Sequence, residues 1–138
     1  MLSSSCTKND CCTNISTNVT IHYQTQSGED LINSSTEFDE ENIKLYYKNG
    51  EEYEYIYNAN LSAPGNYRLD EESSGDLILT IYPSAYYSNN MSTTLIELNE
   101  NLVDTLVGEF RLTDNSQVLE RAWLNGEEMD RGFLVVKR

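Results

Sequence analysis

The feature that most constrains this chain is a succession of short alternating or apolar runs, separated by turn signals, that starts at Val19. Clusters of Gly, Asn, Asp, Ser and Pro close these runs, as expected for loops between strands. The stretch from Leu95 to Val107 has leucines at near-helical spacing but is interpreted as strand–turn–strand. The pattern predicts an all-β fold, an antiparallel β-sandwich of about seven to nine strands. The predicted strands are 18–25, 42–48, 51–58, 76–82, 93–99, 104–113, 117–124 and 131–137, with a weaker strand around 67–69.

Length and charge exclude several classes of protein. A chain of 138 residues is typical of one domain with its own hydrophobic core. Asp and Glu number 23 and Lys and Arg number 9, so the formal net charge is −14. Because this charge repels phosphate backbones and anionic lipid headgroups, we expect no nucleic-acid partner. Any contact with a membrane is expected only through an attached lipid.

The three cysteines, Cys6, Cys11 and Cys12, lie close together near the start of the chain. A disulfide framework needs partners spread through the fold, and the spacing does not match a zinc motif. Small residues that end in Cys6 and are followed by a polar run resemble the lipid-attachment end of a bacterial lipoprotein signal. We therefore predict a tether over residues 1–17 with a lipid attached at Cys6, followed by a single β-sandwich domain over residues 18–138.

The pairing of the hairpin around Asn49-Gly50 can be predicted in detail. A two-residue turn at Asn49-Gly50 would place carboxylates on the apolar face of the hairpin. A three-residue loop, residues 48–50, instead pairs Tyr47 with Glu51 and Leu45 with Tyr53. Because a slip by one residue inverts every side chain, we predict the three-residue loop.

The sequence indicates no catalytic site: it has a single histidine, and its many acidic residues do not single out a pair. The only histidine, His22, lies in a predicted strand without a nucleophile motif nearby and is interpreted as an outward-facing strand residue. Acidic clusters at 37–41, 70–72 and 127–130 lie beside turn signals and are interpreted as solvated charge that protects sheet edges. Calcium is the alternative for these loops, although none has the EF-hand pattern. We predict no catalytic residue, no metal site and no cofactor.

Ten tyrosines are present, all between residues 23 and 87. Aromatic side chains in strands often fill the space between sheets. The hairpin pairing makes Tyr47, Tyr53, Tyr55 and Tyr57 core. The alternative is that they join Tyr46, Tyr82, Tyr86 and Tyr87 in a platform on which sugar rings or a peptide can stack. Trp123 is also predicted to be core. A second group lies in a polar loop, where rings can stack on a sugar or peptide and amides can form hydrogen bonds. The predicted ligand-binding residues are Tyr86, Tyr87, Asn89 and Asn90.

Three segments, 19–23, 27–31 and 42–47, resemble the opening of prealbumin-like sandwich modules. The resemblance implies a Greek-key arrangement of the prealbumin-like or immunoglobulin-like kind. With Cys6 and the polar tether, the chain is also similar to small cell-envelope lipoproteins of the Bacteroidetes type. This resemblance implies a non-enzymatic lipoprotein of the bacterial envelope, at the outer membrane or cell surface, that binds a glycan or a protein partner.

Two other functions stay open. A carboxylate-dependent hydrolase would need two acidic side chains that face each other across a concave pocket. A lipocalin-like carrier of a small ligand would need a closed, hollow barrel instead of a filled sandwich.

Overall fold

Strands make up most of the described part of this computed structural model, which comprises residues 14–34, 43–60, 63–130 and 132–137. The strands of the described residues are β1 (Asn14–Ser16), β2 (Val19–Gln24), β3 (Lys44–Asn49), β4 (Glu52–Ile56), β5 (Tyr67–Glu71), β6 (Leu77–Ile81), β7 (Met91–Asn99), β8 (Leu102–Thr113), β9 (Ser116–Leu124), β10 (Glu127–Glu128) and β11 (Phe133–Lys137). One helical turn, α1 (Leu31–Ser34), accompanies them. All predicted strands are present, and β1 and β10 are additional.

The strands form two sheets. One has seven strands in the order β1-β9-β8-β7-β3-β4, with β10 paired to β9, and the other has the order β11-β2-β6-β5. Neighbours are antiparallel apart from two edge pairs, β1 with β9 and β11 with β2, which are parallel. Neither sheet closes on itself within the described residues, so the predicted β-sandwich is confirmed. The lipocalin-like closed barrel is the wrong alternative.

A single apolar core lies between the sheets. The strand β7 alternates strictly, with every second side chain buried, as expected for a strand that has one face covered. Ile96 and Leu98 from the larger sheet meet Ile21, Leu79 and Ile81 from the smaller sheet in one buried cluster. Each such side chain contributes about 1.5–3 kcal/mol when it leaves water. The sheets therefore stabilise each other as one unit.

The predicted register of the β3–β4 hairpin is wrong. Asn49 pairs with Glu52 and Tyr47 with Glu54, so the loop is the two-residue turn Gly50-Glu51. Gly50 has a φ of 66°, a left-handed conformation that glycine adopts without steric cost. Glu54 points toward the inner side of the sheet but stays exposed at the end of the hairpin, so this register desolvates no carboxylate.

The change of register reverses the predicted orientation of three tyrosines. Tyr47 is buried as predicted, and Ile56 lies opposite Leu45 on the inner face. Tyr53, Tyr55 and Tyr57 are exposed instead of core. They belong to the outer face because successive side chains of a strand alternate between the two faces of a sheet.

Trp123 was also predicted to be core, and this prediction is wrong. Ala122 and Leu124 on either side of it are the buried residues of β9. The indole is half-buried on the outer face of the larger sheet, where the Arg121 guanidinium lies 5.0 Å from the ring centroid. A cation at this distance is attracted by the negative face of the ring.

Part of the predicted N-terminal tether belongs to the sheet. Asn14–Ser16 form β1 and pair with Ser116–Val118 of β9. Cys6, the predicted lipid-attachment residue, lies outside the described residues. Within the described residues, no helix has the length and apolar character required to cross a bilayer.

Candidate functional site

Four tyrosines lie side by side on the outer face of the β3–β4 hairpin. We call this surface the tyrosine edge, and its members are Tyr46, Tyr53, Tyr55 and Tyr57. Tyr55 is 50% exposed and Tyr57 is 61% exposed. Their rings are nearly parallel, 16° apart in plane with centroids separated by 6.4 Å. The hairpin therefore presents two exposed, near-parallel rings that a ligand can contact.

The packing of neighbours holds the Tyr55 ring in place. Tyr46, its partner across the strands, lies 5.6 Å away between ring centroids. The Lys44 ammonium lies 6.0 Å from the Tyr55 centroid, at the outer limit for a cation–π contact. Since β4 is the last strand of its sheet, the side chains of the tyrosine edge are reachable from the open side of the sandwich.

A groove of about 530 Å³ begins at this edge and separates β4 from β5 of the other sheet. Tyr55 and Tyr57 line one side, and Gly65, Tyr67 and Arg68 line the other. Gly65 is required for this shape, because a Cβ atom there would lie 2.7 Å from the Tyr67 ring. The volume lies in the range typical of small-molecule sites. The groove therefore combines three aromatic rings with one cationic side chain.

Arg68 is held in a defined orientation. Its Nε donates to Asp70 Oδ2 at 2.7 Å, and its Nη1 donates to the Tyr82 hydroxyl at 2.9 Å. The hydrogen bond and charge of Asp70 raise the pKa of the guanidinium above its ordinary value. Arg68 therefore remains a cation with further N–H donors in a planar fork.

The residues that line the groove in the described part of the chain include no Asp or Glu. An acid–base glycosidase needs two carboxyl groups that flank the scissile bond. The groove instead offers aromatic faces, backbone groups and the Arg68 donors. These groups can pack against a polar ring-shaped ligand and donate hydrogen bonds to it.

The four predicted ligand-binding residues lie in the segment that leads into β7, and they have different contacts. Tyr86 is exposed and faces the β3–β4 hairpin, where its ring is edge-on to Tyr47 at 6.4 Å and its hydroxyl lies 3.3 Å from Glu54 Oε1. The charge of Glu54 raises the pKa of the Tyr86 hydroxyl. Tyr86 also lines a smaller pocket of about 230 Å³ with Lys48 and Met91.

Tyr87 points toward β8 and β9 instead of toward the β3–β4 hairpin. Its ring covers the buried Phe110 with centroids 4.9 Å apart, and its hydroxyl donates to Gln117 Oε1 at 3.1 Å. Burial raises the pKa of this hydroxyl. Tyr86 and Tyr87 therefore contact different strands, and Tyr87 packs against the sheet.

Asn89 and Asn90 form the turn that follows these tyrosines. Their φ angles are 54° and 65°, and Ser88 and Met91 exchange both backbone hydrogen bonds across them. Asparagine is one of the few residues that tolerates this left-handed conformation. The Asn90 carbonyl also accepts a hydrogen bond from the Phe110 backbone N–H at 2.8 Å. The backbone of these two residues thus shapes the loop.

His22 points away from the core, as predicted, but its side chain is buried and not exposed to solvent. Ile21 and Tyr23 are fully buried in the core, so the imidazole lies on the opposite face of the smaller sheet. However, His22 is only 8% exposed, because other parts of the chain cover that face.

Part of the groove could have been found from the sequence, because the tyrosines on and just after β4 follow an alternating pattern. Tyr53, Tyr55 and Tyr57 alternate along one strand and so must share a face of the sheet. Which face they share depends on the turn that sets the register. Tyr67 and Arg68 join them only through the packing of the two sheets, which no local pattern reveals.

Comparison of the chain with models of protein families, with curated protein sequences and with solved structures finds no match.

Proposed function

We propose that this protein is a non-enzymatic binding module whose groove, between the tyrosine edge and β5, takes a glycan. The supporting observation is the pair of near-parallel exposed rings of Tyr55 and Tyr57 beside Tyr67 and the oriented guanidinium of Arg68. A pyranose ring has one face of C–H groups that packs on an aromatic ring, and its hydroxyls accept hydrogen bonds from a guanidinium. Two rings in sequence along an edge suit successive sugars of a chain.

Binding to a panel of defined oligosaccharides, followed by calorimetric titration of the best ligand, tests this proposal. Tyr55→Ala and Tyr57→Ala should each weaken binding by about 30-fold, the size of effect of an aromatic anchor worth about 2 kcal/mol. Both residues are exposed and lose only contacts between surface rings, so neither substitution should lower the melting temperature by more than about 5 °C.

Tyr53→Ala is the matched control. It removes an exposed tyrosine from the same face of the same strand, but Tyr53 does not line the groove. Its affinity should equal that of the wild type. Failure of the whole panel to bind, or an equal loss for Tyr53→Ala, would contradict a glycan site in the groove.

We also propose that the module is held at the bacterial cell envelope, at the outer membrane or cell surface, by acyl chains on Cys6. The support is the run of small residues that ends at Cys6 and the polar segment that follows it. A lipid anchor would leave the groove free to meet a glycan in the exterior.

The intact mass of protein extracted with detergent from its native membrane tests the anchor. We expect the mass of acyl chains on Cys6, and Cys6→Ser should release the protein from the membrane. Cys11→Ser and Cys12→Ser are the matched controls and should remain bound. An unacylated Cys6 within a longer N-terminus would overturn the anchor without affecting the glycan proposal.

A further inference from the structure

The buried imidazole of His22 points at two carboxylates. Its Nε2 atom lies 3.6 Å from Asp76 Oδ2 and 3.9 Å from Asp30 Oδ2. Both separations are too long for hydrogen bonds, and Nε2 has no hydrogen-bond partner among the described residues. Buried polar atoms in folded proteins nearly always have a partner, so this nitrogen requires an explanation.

The spacing of the three groups suits a shared cation. One ligand atom from each of His22, Asp30 and Asp76 lies within 4.8 Å of the others. Ligands at 2.0–2.2 Å from a tetrahedral ion are about 3.4 Å apart, so small side-chain movements would close this triangle around an ion. Direct hydrogen bonds would instead bring the same atoms to about 3 Å.

Two of the three ligands are fixed before any ion binds. His22 is held on β2 in the middle of a sheet. Asp30 is buried, and its Oδ1 accepts the Ile32 backbone N–H at 2.9 Å while its Oδ2 accepts that of Leu77. The Asp76 side chain is 37% exposed, so it leaves a path from solvent. A preorganised site with one open side is typical of metal centres that exchange with solution.

We propose that His22, Asp30 and Asp76 bind one divalent cation of the Zn²⁺ class on the outer face of the four-stranded sheet. An imidazole nitrogen with two carboxylate oxygens favours Zn²⁺ and similar ions, whereas Ca²⁺ and Mg²⁺ prefer oxygen ligands alone. The two carboxylates balance the charge of the ion. Bound there, the ion joins β2 and the segment before α1, which are close in sequence, to the turn before β6, which lies far along the chain. This separation explains why spacing motifs do not reveal the site.

The imidazole itself provides the most direct test, because the protein has a single histidine and every imidazole signal therefore reports on His22. Tag-free protein in which Cys6, Cys11 and Cys12 are replaced by serine is titrated with ZnCl₂ while the ¹⁵N signals of the imidazole are recorded. We expect a saturable shift of the Nε2 signal at one equivalent and no shift with CaCl₂ or MgCl₂. If Zn²⁺ leaves the imidazole signals unchanged, as it would if only water bridged the three groups, the proposal is wrong.

Asp76→Asn removes one charged ligand without disturbing the core, since Asp76 is partly exposed. It should weaken Zn²⁺ binding by at least about tenfold in calorimetric titration, the scale on which ligand environments control metal affinity. Asp114→Asn, an exposed aspartate in the turn between β8 and β9, is the matched control and should bind like the parent. Equal affinity in Asp76→Asn and Asp114→Asn would overturn the assignment.

Discussion

Two sets of tyrosines in this protein differ in burial: one set lies in the core between the sheets, and the other lies on the surface. Tyr23 and Tyr47 point between the sheets, and each hydroxyl has a specific bond: Tyr23 donates to Asp104 at 2.7 Å, and Tyr47 donates to the Tyr82 carbonyl. Tyr55 on β4 and Tyr57 just after β4 are instead exposed to solvent. The difference follows from strand alternation and register, not from residue type. Buried tyrosines stabilise the fold, whereas those of the tyrosine edge remain available for a ligand.

The two sets of tyrosines should differ most in stability when the whole ring is removed. Tyr23→Ala should lower the free energy of unfolding by about 3–5 kcal/mol, because it leaves a cavity at a fully buried position. Tyr53→Ala should change it by no more than about 0.5 kcal/mol, as is usual for an exposed site. Urea denaturation of both variants measures the difference. Similar losses in the two variants would show that the tyrosine edge is part of the stabilising core.

Removal of the hydroxyl alone sharpens the comparison. Tyr23→Phe keeps the ring but takes a donor from the fully buried Asp104, whose other oxygen accepts from Asn125 Nδ2 at 2.8 Å. Since hydrogen bonds to charged groups are worth about 1.5–3 kcal/mol, a loss of that size is expected.

Tyr53→Phe removes an exposed hydroxyl and serves as the control for this measurement. Its free energy of unfolding should match that of the wild type within the error of denaturation experiments. A stable Tyr23→Phe variant would mean that Asp104 does not depend on the Tyr23 hydroxyl.

Strand positions could be predicted from the sequence, because each strand is bounded by turn residues and carries local alternation. The hairpin between β7 and β8 is an example: despite leucines at near-helical spacing, the stretch from Leu95 to Val107 forms the predicted strand–turn–strand, with its turn at Glu100-Asn101. Two sheets around an apolar core were likewise predictable from the strand pattern. These properties depend on short-range chemistry, which the sequence displays directly.

The face of the sheet on which a side chain lies was harder to predict, because a shift of one residue in strand register reverses it. Gly50 begins the turn of the β3–β4 hairpin instead of ending it, and this reverses Tyr53 and Tyr55. Trp123 is a similar case: its small neighbour Ala122 fills the inner position, so the larger aromatic residue lies outside. Size and hydrophobicity predicted the opposite arrangement, because they do not report which face of a strand is covered.

The candidate sites depend on still longer-range packing. Arg68 meets the tyrosine edge only because β5 and β4 are the neighbouring edges of two sheets. His22 meets Asp76 because the turn before β6 folds over the smaller sheet. Both contacts join residues whose separation along the chain carries no motif.

Tyr86 and Tyr87 are adjacent in sequence but also differ in burial: Tyr87 packs on Phe110, whereas Tyr86 is exposed. Tyr87→Ala should lower the free energy of unfolding by about 1–2 kcal/mol, because it uncovers Phe110 and breaks an aromatic pair. Tyr86→Ala removes an exposed ring and should cost no more than about 0.5 kcal/mol. Thermal unfolding of the two variants side by side gives the measurement. A larger loss for Tyr86→Ala would reverse the assignment of Tyr87 as the packed residue.

The smallest predicted effect concerns alkaline pH. Burial raises the pKa of the Tyr47 hydroxyl, and the nearby Tyr86 raises it further, against a lowering by the hydrogen bond from Asn66. Below about pH 10, folded and unfolded chains both hold this proton, so the contribution to stability is fully present. As the pH rises above that value, the unfolded chain loses the proton first and stability falls.

Tyr47→Phe should therefore lose less stability than the wild type between pH 8 and a pH of about 11, although its stability at pH 8 is lower. Comparing the change with pH within each protein removes the shared titration of the lysines, whose ordinary pKa of about 10.4 lies in the same range. Denaturation curves at the two pH values measure this difference. An equal alkaline decline in both proteins would show that the Tyr47 phenol deprotonates as readily in the folded chain as in the unfolded chain.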